Sequence, residues 1–321
     1  MLDNIPSISD GIRLSVRRLP NILRSSEQQY HQEGGKQSTF FSQSVRKKNR
    51  AVCNIFVMGL AELLGTALLL FLGCMGCVSG VSVVPIPHHL SGIIFGMTVL
   101  LIIQLFGHIS GAHLNPAVTL SSAILGHLKP LLVPVYIAAQ FIGAFLGFGL
   151  LKVLIPEDLA EEFNGDVNGT AVPAVAKPGL CSTTLHPRLT SMQALAIEAI
   201  ITTVLIMICC SVWDKRNAKN TDSTPVRFGL IISVISMTAG PFTGASMNTV
   251  RSFAPAVFNG DWDSHWVYWV GPTLGALIGT FSYKFLFEDS DDEEDSNEDK
   301  LNNTEDIPLH ESHIRMKNNI V

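Results

Sequence analysis

GHISGAHLNPAVTL, residues 107–120, and GASMNTVRSF, residues 244–253, are two versions of one element. Each sets a Gly-Ala pair ahead of an asparagine, Asn115 in the first copy and Asn248 in the second, and then continues into a small apolar segment. Both are too short and too polar to span a bilayer. Asparagine is a good helix N-cap, and Pro116 suits the first helical position, where its missing N–H costs nothing. The spacing therefore predicts a helix of about two to three turns starting near Asn115, and a counterpart starting near Asn248. The lead-in residues Ser110, Gly111 and Ala112, and Thr243 to Ser246, read as loops. Non-helical backbone at membrane depth is tolerated only where it is buried in protein or lines a water-filled path.

The surroundings say that this depth is a membrane. The chain has 321 residues and is 47% hydrophobic, with its charges gathered at the two ends. Six apolar runs lie between them, at roughly 53–77, 90–108, 131–155, 192–213, 226–242 and 266–287, each near the length that crosses a bilayer. A soluble fold would need six helices with no polar face. The runs also repeat. AELLGTALLLFLG carries Glu62 in the first, and IEAIITTVLIMICC carries Glu198 in the fourth. Each half runs span, span, Asn-led segment, span. Three spans is an odd number, so the second half enters the membrane in the opposite sense, which is an inverted repeat. The expected fold is an all-α membrane protein with six transmembrane helices and two re-entrant half-helices. The expected channel domain is 51–287, made of repeats 51–155 and 190–287.

Residues 1–50 hold nine Lys or Arg against four Asp or Glu. This basic flank argues for a cytoplasmic N-terminus, and six spans return the C-terminus to the same side. The tail 1–50 reads as disordered, and 288–321 reads as a self-repelling acidic tail that opens with EDSDDEEDSNED. Asn168-Gly169-Thr170 fits a glycosylation acceptor in an expected outer loop. Of six cysteines, five lie in or beside spans. Cys181 sits in the outer loop with no obvious partner, so buried thiols are expected rather than a disulfide framework.

If the half-helices meet end to end, two positive dipole ends point at one spot. Two asparagine amides donate hydrogen bonds there, and Arg251 lies just beyond. Such donors and positive barriers pass water and repel protons and cations. An arginine within a membrane is expensive and functional by default. His113, beside the first asparagine, is read as facing the inner pore. No second ligand stands at metal spacing from it, so neither metal nor cofactor is expected. No nucleophile with its base and no nucleotide loop is visible, so neither an enzyme nor a nucleic-acid partner is expected.

The chain resembles the aquaporins, the major intrinsic protein family. GHISGAHLNPAVTL resembles the family's first signature loop, and GASMN followed by RSFAPAV resembles the second. AELLGT, Gln140 and HWVYWVGPTLGA also fit. The likeness covers residues 52–287. It implies that Glu62 and Glu198 hold the loop backbones by hydrogen bonds. It also implies a selectivity constriction of Phe95, Ser236, Ala245 and Arg251, placed by their distances from the two asparagines. Water-strict relatives usually have His at the Ser236 position. A hydroxymethyl there widens the constriction and removes a donor, as in insect glycerol-permeable members. Ser252, Ala256, Tyr268 and Trp269 resemble water channels instead.

Two departures stand out: Thr249 and Val250 replace the Pro116 and Ala117 of the first copy. The implied function is a passive channel for water and small uncharged solutes such as glycerol and urea. It would be a homotetramer in the lipid bilayer, multi-pass in the plasma membrane. The rival readings are a water-selective channel, a secondary transporter and a non-conducting relative.

Overall fold

The structure is a computed structural model, and it describes residues 37–78, 88–156, 159 and 179–287. Eight α-helices are described: α1 (Gln37–Met75), α2 (His88–Ser110), α3 (Pro116–Ile124), α4 (Val133–Leu154), α5 (Ser191–Trp213), α6 (Thr224–Thr243), α7 (Thr249–Asn259) and α8 (Val267–Phe287). Short 3-10 segments, Pro130–Leu132 and Lys215–Ser223, lead into α4 and α6. No strand occurs among the described residues. Helix α1 extends back to Gln37, so part of the segment 1–50 expected as a disordered tail is helical. The acidic tail and Asn168 lie outside the described residues.

Five helical stretches are long and apolar enough to cross a membrane: Val52–Met75, His89–Ser110, Pro130–Leu154, Ser191–Trp213 and Lys215–Thr243. Helix α8 has 21 residues, about 32 Å at 1.5 Å per residue, which also suffices for a hydrocarbon core of about 30 Å. Its Tyr268, Pro272, Thr273, Thr280 and Lys284 dilute its apolar character. The chain is turned inside out relative to a soluble fold. Ile142, Leu146, Leu150, Ile200, Leu230 and Phe281 are exposed, while Glu62, Gln140, Glu198 and Arg251 are buried. That distribution suits a lipid solvent.

The helices pair symmetrically: α1 packs on α4, α5 packs on α8, and α2 packs on α6 across the pseudo-twofold. Small residues permit these crossings. A Cβ at Gly143 or Gly147 would collide with the Leu63 or Ala67 carbonyl of α1, and one at Gly275 would press on the Ala199 carbonyl of α5. In membranes, where apolar burial drives little helix association, such close backbone approach supplies the packing energy.

Two apolar clusters form the core, and each is built from both repeats. Leu69, Leu70, Ile102, Ala144 and Phe148 of the first repeat enclose Val250 and Ala254 of α7. Leu205, Ile206, Ile232, Ile235 and Ala276 of the second enclose Ala117 and Val118 of α3. Each half-helix is plugged into the other repeat's core. The halves cannot separate without exposing both.

Cys74 and Cys181 are joined by a disulfide, with Cα atoms 5.3 Å apart and 107 positions between them in the chain. This corrects the expectation that Cys181 has no partner. Cys74 lies inside an apolar run and reads as a buried hydrophobe, and nothing local in the sequence signals that the 179–187 segment folds down over the end of α1.

Candidate channel site

The site is built from the two loops and the caps that end them. Gly111 and Gly244 turn the chain with φ of 87° and 78°, and Ala112, Leu114, Ala245 and Met247 follow with φ between 46° and 55°. Four non-glycine residues in the left-handed region are costly in an ordinary loop. Here the cost is met by a buried carboxylate under each loop. The Glu62 oxygens accept from Ser110 Oγ (2.7 Å), His113 N (2.9 Å), Leu114 N (2.8 Å) and Gln140 Nε2 (2.8 Å). The Glu198 oxygens accept from Thr243 Oγ1 (2.6 Å), Ser246 N (3.0 Å) and Met247 N (2.9 Å). Both carboxylates are fully buried. A buried carboxylate is tolerable only when saturated with donors in this way. Tyr136 and Tyr268 add a second brace, donating to the Ser110 and Thr243 carbonyls, each at 2.8 Å.

Each loop ends in an asparagine cap. Asn115 Oδ1 accepts from Ala117 N (2.9 Å), and Asn248 Oδ1 accepts from Val250 N (3.1 Å) and Arg251 N (3.4 Å). The amide nitrogens cross over. Asn115 Nδ2 donates to the Met247 carbonyl and Asn248 Nδ2 to the Leu114 carbonyl, both at 2.8 Å. The half-helices therefore meet N-terminus to N-terminus. Each amide group retains one further N–H, since a primary amide has two.

Arg251 is buried one turn into α7. Its Nη1 donates to the Cys181 carbonyl at 2.7 Å, and its Cζ lies 4.7 Å from the centroid of the Phe95 ring. Ala245 is buried in the loop before Asn248, and Ser236 is half-buried on α6. The structure thus brings Phe95 and Arg251 into contact; for Ser236 and Ala245 it gives burial and position.

His113 is buried, with Nδ1 3.3 Å from Thr119 Oγ1 and its ring against Tyr136 and Trp213 at centroid distances of 5.1 and 6.1 Å. Pro116 opens α3. Ala117 and Val250 point into the two apolar clusters, so the extra methyls of Val250 are spent on packing and it is fully buried. Thr249 Oγ1 donates to the Tyr268 carbonyl at 3.0 Å.

A family model, "Major intrinsic protein", matches residues 51–283. The chain belongs to the major intrinsic protein family. Among curated relatives, Aquaporin-2 of Rattus norvegicus is 35% identical over 227 residues, 71% of this chain and 77% of its own length. Aquaporin-4 of Homo sapiens is 36% identical over 63% of this chain, a stretch that spans 58% of its own length. Among solved structures, the aquaglyceroporin of Plasmodium falciparum has the same fold, with a TM-score of 0.60 at 24% identity, covering 72% of this chain and 96% of that one. Membership supports a passive channel for water or small solutes, in a multi-pass membrane protein, and gives no support to an enzymatic activity.

Spacing alone does not assign several groups their roles in this site. Ser110, Thr243, Tyr136 and Tyr268 lock the loops, and Cys74 and Cys181 lock the segment over Arg251. The hydroxyls were findable as equivalent positions in the two repeats, since Tyr136 and Tyr268 precede Gln140 and Pro272 by the same four residues.

Proposed function

We propose that this chain is a passive channel conducting water and small uncharged solutes, glycerol and urea among them, while rejecting protons and cations. The observation that carries the reading is the reciprocal pair of asparagine–carbonyl bonds beside an arginine held against an aromatic ring. Two amide donors and two helix N-termini disfavour any cation at the junction, and the guanidinium of Arg251 adds a fixed positive charge. Phe95, Ser236, Ala245 and Arg251 form the constriction, and Asn115 and Asn248 form the central donors. The small Ser236 leaves room for a carbon-bearing solute. The loop carbonyls that follow the left-handed residues offer acceptors to a solute shedding bulk water.

The working assembly is a homotetramer in the plasma membrane with both termini cytoplasmic. The channel domain is 51–287, and Asn168 carries the glycan if the outer loop is modified. Relatives named as aquaporins favour a narrower reading, water alone. The decisive measurement is the swelling of proteoliposomes. A sucrose gradient should give fast, non-saturating water efflux, and a glycerol gradient should give rapid re-swelling that Ser236→His lowers severalfold. Water flux without re-swelling selects the water-only reading. Flux that saturates and follows a proton or sodium gradient selects a transporter.

A further inference from the structure

The last turn of α1 lines none of the four constriction positions, yet it touches the supports of two of them. Gly73 is buried against Phe95. A Cβ at residue 73 would sit 2.7, 2.9 and 3.0 Å from Cε1, Cδ1 and Cζ of that ring, closer than carbon atoms approach without something moving. The Phe95 ring is therefore seated in the space that glycine leaves open. The next residue, Cys74, is fully buried and bonded to Cys181. Cys181 has a left-handed φ of 63°, unusual for a residue with a side chain, and its carbonyl accepts the Arg251 Nη1 hydrogen bond.

The Cys181 segment is held at a second point on its other side. Gly179 N and Ser182 Oγ donate to the Asp261 carboxylate, and Asn259 Nδ2 donates to the Leu180 carbonyl at 2.9 Å. These bonds tie the segment to the far end of α7, and the disulfide ties it covalently to α1. Two adjacent residues of one helix turn thus fix the two partners of the Phe95–Arg251 contact, one by an absent side chain and one by a covalent bond.

We propose that Gly73 and the Cys74–Cys181 disulfide are positioning residues that set the aperture between Phe95 and Arg251, and through it the ratio of glycerol to water permeability. This rests on the constriction assigned above. Opening the disulfide frees the Cys181 carbonyl to drift from Arg251, and the guanidinium then gains freedom. The aperture loosens and the larger solute benefits more. Filling Gly73 does the reverse, because the ring must yield away from α1. Cys77 lies three residues beyond Cys74, and its Sγ donates to the Gly73 carbonyl.

The test uses full-length protein in proteoliposomes, in a Cys77→Ser background so that no neighbouring thiol can exchange with the bond. A dithiol reductant supplies two electrons and two protons to the bond, becomes a cyclic disulfide and leaves two thiols, whose appearance is verified by alkylation and mass. Reduction, and separately the Cys74→Ser/Cys181→Ser pair, should raise the glycerol-to-water ratio by roughly two- to tenfold, the range for weakening one hydrogen-bonded anchor without losing it. Gly73→Ala should lower the ratio severalfold, and Gly73→Ala/Phe95→Leu should restore it. Because reduction acts on folded, reconstituted protein, a folding defect in the variants does not obscure the result. An unchanged ratio in verified reduced protein, with Ser236→His still lowering glycerol flux, overturns the proposal and leaves the constriction standing. If Ser236→His is also without effect, the constriction assignment itself falls.

Discussion

Set side by side, the two repeats solve one problem with different residues. In the first, Glu62 collects four donors, the fourth from Gln140, which also donates to Thr119 Oγ1 at 2.9 Å. In the second, Glu198 collects three, and the position equivalent to Gln140 is Pro272. The hydroxyl equivalent to Thr119 is Ser252 Oγ, which accepts from Thr183 of the 179–187 segment at 2.7 Å instead. At the half-helix, Val118 packs in an apolar cluster, whereas its counterpart Arg251 carries the charge. The scaffold is symmetric where it holds backbone and asymmetric around Arg251, where the proposed constriction lies. The second repeat gives up one donor under its loop and gains a segment laid over its arginine.

The largest effect should come from removing the carboxylates. Glu62→Ala and Glu198→Ala each orphan two buried backbone N–H groups and one hydroxyl, at about 1–3 kcal/mol per group. Glu62→Ala also leaves one N–H of Gln140 unpaired, so it should be the more damaging of the two. The temperature at which detergent-solubilised protein loses its monodisperse elution should fall for both, further for Glu62→Ala. Equal shifts would mean that the Gln140 bond adds nothing.

Next in size is Arg251→Val, which makes the second half-helix copy the first. Water flux should persist, while proton leak, read with a pH-sensitive dye inside proteoliposomes, should rise roughly tenfold or more once a fixed charge leaves a low-dielectric throat. A leak that stays at background would place the barrier wholly at the asparagines.

A smaller difference should separate Asn115→Ala from Asn248→Ala. Each removes a cap worth about 1 kcal/mol and a cross-repeat bond of about the same size. Asn248 additionally accepts from Arg251 N, so its loss loosens the half-helix that presents the guanidinium. Both variants should lose stability by thermal unfolding and raise proton leak, Asn248→Ala by the larger factor.

Much of this architecture is legible in the sequence because a membrane narrows the choices. Apolar runs of about twenty residues can only be spanning helices when lipid offers no hydrogen bonds, and an odd number of them per repeat forces inversion. The caps at Asn115 and Asn248 are local chemistry and can be read locally. What escapes is chemistry between distant positions. Cys74 looks like one more small apolar residue until a segment 107 positions away folds onto it. Gly73 looks like any helix glycine until the Phe95 ring fills its space. Spacing leaves two fates open for Val250, narrowing the centre or packing, and only its environment of Leu69, Leu70 and Phe148 decides for packing.

Thr249 shows the same limit at its finest scale. From spacing alone it is a slightly poorer Pro116, losing a pre-set dihedral. The structure couples it to the other departure of the second repeat. Pro272 has no N–H, so the carbonyl of Tyr268, four residues earlier in α8, lacks its helical donor. Thr249 Oγ1 supplies one. The two substitutions relative to the first repeat are thus halves of one exchange, and restoring only one should not help. Thr249→Val should destabilise by about 1 kcal/mol, because the Tyr268 carbonyl is left buried and unpaired. Thr249→Pro should fare little better, despite recreating the first repeat's residue. Pro272→Ala returns the helical N–H and makes the hydroxyl redundant. In a double-mutant cycle, Thr249→Val should therefore cost about 1 kcal/mol less in the Pro272→Ala background than in the native one. If the two costs are equal within error, the hydroxyl is incidental, and drift at residue 249 was independent of the proline in α8.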